Sequence, residues 1–385
     1  MPSIVSTVST DDIRAALSTV KDPEIRRPIT ELGMVDRIDV RAGADGGSVV
    51  DLRVLLTIAG CPLRETITKD VNAAVRAVPG VSDLRLELGV MTDEQRTALR
   101  NGLRGGATRE IPFARPESRT RVYAIASGKG GVGKSTVTVN LAAELAARGL
   151  AVGLLDADIY GHSIPRMMGV SGQPTRVDDM ILPPVMYGVK VISVGMFVDG
   201  NGPIPWRGPM LHRALQQFLS DVYWGDLDVL LLDLPPGTGD IAISIAQLVP
   251  TTEILVVTTP QPAAAEVAER AGALALQTRQ KVAGVVENMS AMTLPDGSVL
   301  ELFGSGGGQI VADSLSRATG TTVPVLGRIP LDVALREAGD SGLPLVLRPE
   351  AAQSPAVLAL RQVAGSLTAL SRPLAGVSLG ISPRR

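Results

Sequence analysis

The residues best placed to do chemistry gather in the segment 122–149, VYAIASGKGGVGKSTVTVNLAAELAARG. Gly128-x-x-x-x-Gly133-Lys134-Ser135 sets a lysine and a hydroxyl directly after a glycine-rich turn, between an apolar run and a helical pattern. Glycines at 128, 130, 131 and 133 let successive main-chain N–H groups turn inward around phosphate oxygens, where a side chain would block the approach. A helix starting near Lys134 aims the positive end of its dipole at the same oxygens. Lys134 is expected to bridge the terminal phosphates, Ser135 to ligate Mg²⁺ and Thr136 to bond the α-phosphate. Lys129 is surplus to this pattern. It reads either as a solvated lysine on a flexible tip or as a charge that reaches a phosphate, including one in a facing subunit.

Carboxylates follow at the ends of two apolar runs. Asp156 and Asp158 come after Ala151–Leu155, and Asp233 ends Val229–Leu232. Ligands of parallel α/β sheets bind beyond the carboxyl ends of the strands, so these are candidate site residues as well as candidate turn or cap residues. A buried Asp233 requires a cation or donors, which suits Mg²⁺ held directly or through water. The segment Pro235–Asp240 (PPGTGD) is stiff and turn-prone, and Asp240 alternatively caps a helix over Ile241–Val249. Asn288 can offer a donor and an acceptor to a base edge, or be an ordinary turn residue. His162 and His212 are isolated and read as structural. Arg207 reads equally as a partner contact or a surface ion pair.

These residues must be positioned by short strands alternating with helices. From Arg121 onward the apolar runs 122–126, 151–155, 191–194, 229–232, 254–257 and 282–286 alternate with helical periodicity, which implies βαβ units and a mostly parallel sheet covered on both faces. The first hundred residues differ. Thr10 or Asp11 caps a short helix over Ile13–Val20. Val50–Ile58 and Leu84–Leu88 alternate as half-buried strands, and Leu63, Ile67, Val71, Val75 and Val78 recur at helical spacing. The expected division is 10–95 for a small domain, 96–118 for a linker, 119–371 for the large domain and 372–385 for a loose tail.

Composition narrows the function. A net charge of −2 provides no basic field for nucleic acid or an acidic membrane, and 3% aromatics leaves few base-stacking platforms. Apolar runs are too short to span a bilayer, no secretory leader is read at the N-terminus, and the expected location is the cytoplasm. One cysteine, Cys61, excludes an intrachain disulfide and a zinc site built mainly from cysteines. It lies at a strand end just before a helix, where a thiolate is favoured. It reads as a metal-handling residue or as a small buried apolar one, and Asp22 and Glu24 as its supporting groups or as loop residues.

The segments GKGGVGKST (128–136), DADIYGHSIPRMMG (156–169), WRGPM (206–210), LLLDLPPGTGD (230–240), VVENMS (285–290) and FGSGGG (303–308) resemble the Mrp family, the iron–sulfur cluster carrier ATPases among the MinD/ParA-type P-loop NTPases with a deviant Walker A motif. DPEIRRPITELGMV and TIAGCP within 10–90 resemble the PaaD-like iron–sulfur assembly domain. The resemblance implies an α/β P-loop NTPase with a mostly parallel sheet and helices on both faces, plus a small N-terminal α/β (α+β) domain. It implies slow Mg²⁺-dependent ATP hydrolysis by a homodimer, and cluster transfer to apoprotein recipients alongside iron–sulfur assembly factors. The implied nucleotide-binding set is Gly128, Lys129, Gly130, Gly131, Val132, Gly133, Lys134, Ser135, Thr136 and Asn288, with Asn288 on the adenine. Lys134, Asp158 and Lys129 are implied in catalysis: Asp158 orients the attacking water and Lys129 acts across the dimer. Ser135 and Asp233 hold Mg²⁺. The chain departs from the family in one respect: many members carry a CxxC pair after NMS, whereas NMSAMTLPDGSVLELFGSGGG has no cysteine. Two protomers then offer only two Cys61 thiolates, so a four-thiolate cluster would need ligands from elsewhere. The alternative function is a MinD/ParA-type switch that recruits or positions partners without cargo.

Overall fold

The computed structural model describes residues 8–43, 46–58, 63–104, 110–115, 117–158, 161–197, 208–237, 239–261, 264–294 and 296–369. Cys61, Arg207 and the tail 372–385 lie outside the described residues. The chain divides into two units. The first is Met1–Thr108 together with Thr175–Pro183, and the second is Arg109–Pro174 with Pro184–Arg385.

In the first unit, α1 (Thr10–Leu17) starts at Thr10, one of the two expected caps, and ends short of Val20. The cap is Ser9: its hydroxyl accepts from the Asp12 amide at 3.1 Å, and the Asp12 carboxylate accepts from the Ser9 amide at 2.9 Å. That reciprocal pair satisfies two otherwise orphaned donors. Strands β1 (Val35–Ala42) and β2 (Ser48–Leu56) pair antiparallel, and β2 pairs parallel with β3 (Val81–Val90) through α2 (Arg64–Arg76). Val50, Leu52 and Val54 of β2, Ile67, Val71 and Val75 of α2, and Ile13 and Leu17 of α1 are all buried. Helix α3 (Asp93–Arg104) occupies the first part of the stretch expected as linker. Its start is marked by Thr92 and Gln95, which exchange side-chain-to-amide bonds at 2.9 and 3.3 Å.

The second unit contains an eight-stranded sheet. It begins with β4 (Arg121–Ala126), α4 (Lys134–Ala147), β5 (Val152–Asp156) and α5 (Ile164–Met167). The chain then forms a hairpin, β6 (Thr175–Val177) and β7 (Met180–Leu182), that packs with the first unit. It returns through β8 (Val185–Met186), β9 (Val189–Ser193), α6 (Gly208–Ser220), β10 (Val229–Asp233), α7 (Asp240–Leu248), β11 (Glu253–Thr258) and α8 (Ala264–Thr278). Next come β12 (Val282–Ser290), the small hairpin β13 (Met292–Thr293) and β14 (Val299–Leu300), α9 (Gly307–Thr319), β15 (Val325–Pro330), α10 (Val333–Ser341) and α11 (Pro355–Ala369). The strand order is β15-β12-β11-β4-β10-β5-β9-β8, and only β8 runs antiparallel.

Alternation along the strands produces two covered faces. Tyr123, Ile125, Leu154, Leu231, Leu255 and Val257 share one core with Val137 and Leu141 of α4 and with Leu360 and Val363 of α11. The intervening Val122, Ala124, Leu155, Leu230, Leu232, Ile254 and Val256 point the other way by strand geometry and are equally buried. This is why the runs read as continuously apolar. Helix α11 buries Ala356, Val357, Leu360, Val363, Ala364 and Leu367, so its apolar composition serves the core. Among the described residues no helix is long and apolar enough to cross a membrane.

Strand β4 sits mid-sheet, with β10 on one side and β11 on the other. The chain goes from β4 toward one side through β5 and later to the other through β11. The order therefore reverses at β4, and the crevice beyond its carboxyl end is where such a sheet accommodates a ligand.

Candidate functional site

The loop after β4 occupies that crevice. Gly131 and Gly133 take left-handed conformations, φ +79° and +76°, which L side chains adopt only at a cost. At Gly133 space is also decisive: a Cβ there would lie 2.3 Å from Nδ2 of Asn288. Gly133 is the N-cap of α4 and no side chain caps that helix, so its first-turn amides face the crevice without an intramolecular side-chain acceptor. A Cβ at Gly131 would meet nothing within 4 Å.

Lys134 and Asp233 meet beneath this loop. The Lys134 ammonium lies 2.8 Å from Oδ1 of Asp233, and both side chains are buried. Asp233 also accepts from the Ser135 hydroxyl at 2.6 Å and the Thr138 hydroxyl at 2.8 Å. Asp156 lies directly beside Asp233 in the β5–β10 register. It accepts from the Asp158 amide at 3.1 Å, the Ser193 hydroxyl at 3.1 Å and the Ile164 amide at 3.4 Å. Burial first, and the Asp233 carboxylate second, push Asp156 up to about 7. Lys134 acts in the opposite direction. The set comprises one buried cation, two buried carboxylates at strand ends and three hydroxyls, two from α4 and one from the end of β9, a donor arrangement that fits a phosphate–Mg²⁺ group.

Asp158 is partly buried, and its Oδ1 accepts from the Gly161 amide at 3.0 Å. Asn288, at the end of β12, donates Nδ2 to the Val132 carbonyl at 2.9 Å and so braces the loop. It also lines a cleft of about 320 Å³ with Gly133, Thr136, Met289, Leu331 and Leu335. Apolar walls with a few polar groups suit a nucleoside. Lys129 donates Nζ to Oε1 of Gln261, while Arg270 of α8 donates to the Gly128 carbonyl at 3.2 Å.

Sequence reading passed over Thr138, Ser193, Gln261, Arg270, Met289 and the Leu331–Leu335 wall. Thr138 had a usable signal, being one helical turn beyond Lys134 on the face toward the sheet. Gln261 and Leu331 had none, because they lie in loops after strands distant in sequence. His162 packs closely on Gly195, where an added Cβ would lie 2.3 Å from its ring. Among the described residues no group of three or more His, Cys, Asp or Glu side chains could hold a metal ion. Asp240 is the first residue of α7, whose N-cap is Gly239.

The model of the ParA family, described as NUBPL iron-transfer P-loop NTPase, matches residues 118–368, and that of the iron–sulfur cluster assembly protein family matches residues 10–85. A protein named iron-sulfur cluster carrier protein from Mycobacterium tuberculosis (strain ATCC 25618 / H37Rv) is 65% identical over 375 residues, 97% of each chain. One of the same name from Synechocystis is 40% identical over 371 residues, 94% of this chain and 98% of that one. A solved structure, a nucleotide-binding protein in complex with ADP from Archaeoglobus fulgidus, is 35% identical and covers 65% of this chain and 91% of its own, at a TM-score of 0.49. With the glycine loop, Lys134 and Asp233 inside the larger matched segment, the chain belongs to the NUBPL-type iron-transfer P-loop NTPase family, with an iron–sulfur cluster assembly domain at its N-terminus.

Proposed function

We propose that this protein is a cytosolic ATPase that works as a homodimer. It binds ATP in the β4–α4 loop and the adjoining cleft, hydrolyses it slowly, and uses the two nucleotide states to receive an iron–sulfur cluster from assembly factors and pass it to apoproteins. The observation that carries the ATPase reading is the Lys134–Asp233 pair, with Ser135 and Thr138, buried under an uncapped helix start.

In this reading the amides of residues 130–135 receive the phosphates, and Lys134 exchanges Asp233 for a phosphate oxygen. Thr136 bonds the α-phosphate, and Asn288 meets the adenine at the cleft wall. Magnesium, held by Ser135 and Asp233, would neutralise charge on the terminal phosphates. Asp158 orients a water for attack on the γ-phosphorus, whose bond to the ADP oxygen then breaks. Such a reaction needs positioning and charge neutralisation rather than covalent help from the protein. Lys129 leaves Gln261 to reach the nucleotide of the facing protomer, so turnover waits on dimer closure.

The cluster is cargo. The names of the relatives and the two matched families support a carrier role. With one cysteine per chain, two protomers give two thiolates, and the remaining iron sites would take thiols from the donor or recipient. A cargo held by few protein ligands exchanges readily, which suits handover. The test is anaerobic reconstitution with iron and sulfide, followed by iron counting on the wild type and Cys61→Ser. Stoichiometric cluster on the wild type and its loss in Cys61→Ser are expected. If neither takes up cluster, the carrier half falls and a partner-recruiting ATPase switch replaces it.

A further inference from the structure

The β6–β7 hairpin belongs to one unit by packing and to the other by chain path. Thr175–Pro183 groups with the first unit, while Pro174 and Pro184, its neighbours on either side, group with the second. Val177, Met180 and Leu182 are no more than 1% exposed. The Thr175 hydroxyl donates to Oε1 of Glu24 at 2.8 Å, and both residues are buried. At the hairpin tip, Arg100 of α3 lies 3.3 Å from each of Asp178 and Asp179, and Arg96 lies 3.8 Å from Asp178. A surface ion pair contributes little alone, but these close over a buried strand pair.

The stem of the same hairpin is fastened inside the second unit. Gly169 and Tyr187 flank the excursion, and both meet Gly342, the C-cap of α10. The Tyr187 hydroxyl donates to the Gly342 carbonyl at 3.0 Å. A Cβ on Gly342 would lie 2.8 Å from the Gly169 Cα, and one on Gly169 would lie 2.8 Å from the Gly342 oxygen. Both glycines have positive φ, +65° and +72°, so the contact demands glycine twice over. The two helices that end at this junction also form a wall of the nucleotide cleft, α5 through Met167 and α10 through Leu335 and Gly339. Any change in the spacing of α5 and α10 therefore moves the stem, because the junction has no slack.

We propose that the β6–β7 hairpin is a tether through which occupancy of the cleft acts on the iron–sulfur assembly unit, by way of the Gly169–Gly342–Tyr187 junction. The proposal rests on the reading of the cleft as a nucleotide site. It gives that site an output: nucleotide draws α5 and α10 together, the stem shifts, and the seating of the hairpin against Glu24 and α3 changes. Glu24 lies two residues from Asp22, whose carboxylate accepts from the amides of Glu24 and Ile25 at 2.9 Å each. The hairpin thus bears on the turn that sets this loop.

Hydrogen exchange on the full chain, read by mass spectrometry with and without a non-hydrolysable ATP analogue and magnesium, tests the tether. In the wild type, peptides over 128–138, 175–182 and 22–32 are all expected to change exchange rate. The last two should change by about 5-fold or more, the lower end of ordinary coupling between sites. Tyr187→Phe keeps the response at 128–138 and loses most of it at 175–182 and 22–32. Thr175→Val, which removes the hydrogen bond to Glu24, keeps the responses at 128–138 and 175–182 and loses that at 22–32. A wild-type response at 128–138 with none at 22–32 overturns the tether and leaves the nucleotide reading standing. So does a response at 22–32 that survives undiminished in both variants. No response at 128–138 overturns the nucleotide reading, and the tether with it.

Discussion

Replacing Lys134 with alanine should destabilise the second unit even before any nucleotide is added. Asp233 is fully buried, and its closest cation is the Lys134 ammonium at 2.8 Å. Removing one partner of a buried ion pair strands the other, at a cost of about 3–5 kcal/mol. The hydroxyls of Ser135 and Thr138 remain as donors, which favours the lower half of that range. For a unit of this size the loss lowers Tm by on the order of 10 °C. The pH dependence gives the sign. Asp156 sits at about 7 in the fold against 3.8 unfolded, so the folded state holds a proton the unfolded state has released. Stability from this group is fully present below pH 3.8 and is lost as pH rises through 7, by on the order of 2 kcal/mol between pH 5 and pH 7. In Lys134→Ala the cation that lowers Asp156 is gone. Its pKa climbs further, and the decline continues above pH 7 instead of levelling off. Guanidinium melts from pH 5 to 9 measure both effects. Adding Asp233→Asn to Lys134→Ala should restore part of the loss by removing the stranded charge. Wild-type stability for Lys134→Ala at pH 8, or a double variant weaker than the single one, would refute the electrostatic account.

Three further outcomes are expected. Gly133→Ala combines a left-handed φ with a Cβ 2.3 Å from Asn288 Nδ2, so it should cost at least 1–2 kcal/mol and abolish nucleotide binding in calorimetry; retained affinity would show that the loop moves away from Asn288. Asp158→Ala should bind ATP normally yet hydrolyse it at least 10-fold more slowly in a phosphate-release assay, and unchanged turnover removes Asp158 from the water. Gln261→Ala frees Lys129 from its acceptor and should raise ATP turnover per protomer at low protein concentration; lowered turnover would make Gln261 a support for the active lysine rather than a resting place.

Much of this was legible in the order of residues. The glycine loop, Lys134 and Ser135 are contiguous, and contiguity is what a sequence displays. The parallel sheet was readable because both faces are covered and the strands are unbroken apolar runs. Asp233 stood out as a charge ending such a run. What stayed hidden depends on strand order. Nothing in the sequence says that β10 lies beside β5, so the coupling of Asp156 to Asp233 could not be read, and neither could the meeting of Lys129 with Gln261, in the loop after β11. The extent of α3 was hidden for another reason: its Gly102 and charged residues mask a helix whose real signal was the Thr92–Gln95 capping pair.

The proposed tether asks little of the hairpin itself. Its strands Thr175–Val177 and Met180–Leu182 are only three residues each, and a two-stranded ribbon is marginal by itself. What gives it a fixed place is the burial of Val177, Met180 and Leu182, the Thr175–Glu24 hydrogen bond in the first unit and the glycine junction in the second. The glycine junction admits no added Cβ, and close-packed anchors transmit displacement where loose ones absorb it. A mutation that loosens either anchor should therefore leave both chemistries intact when assayed separately and impair only their coordination. Nucleotide-dependent cluster release is the assay that separates the cases. Tyr187→Phe, which loosens the glycine junction, should still load cluster and still turn over ATP, but it should release cluster to an apoprotein at the same rate with or without nucleotide. If nucleotide still accelerates its release as in the wild type, the hairpin is a structural insert and the two units communicate by another route.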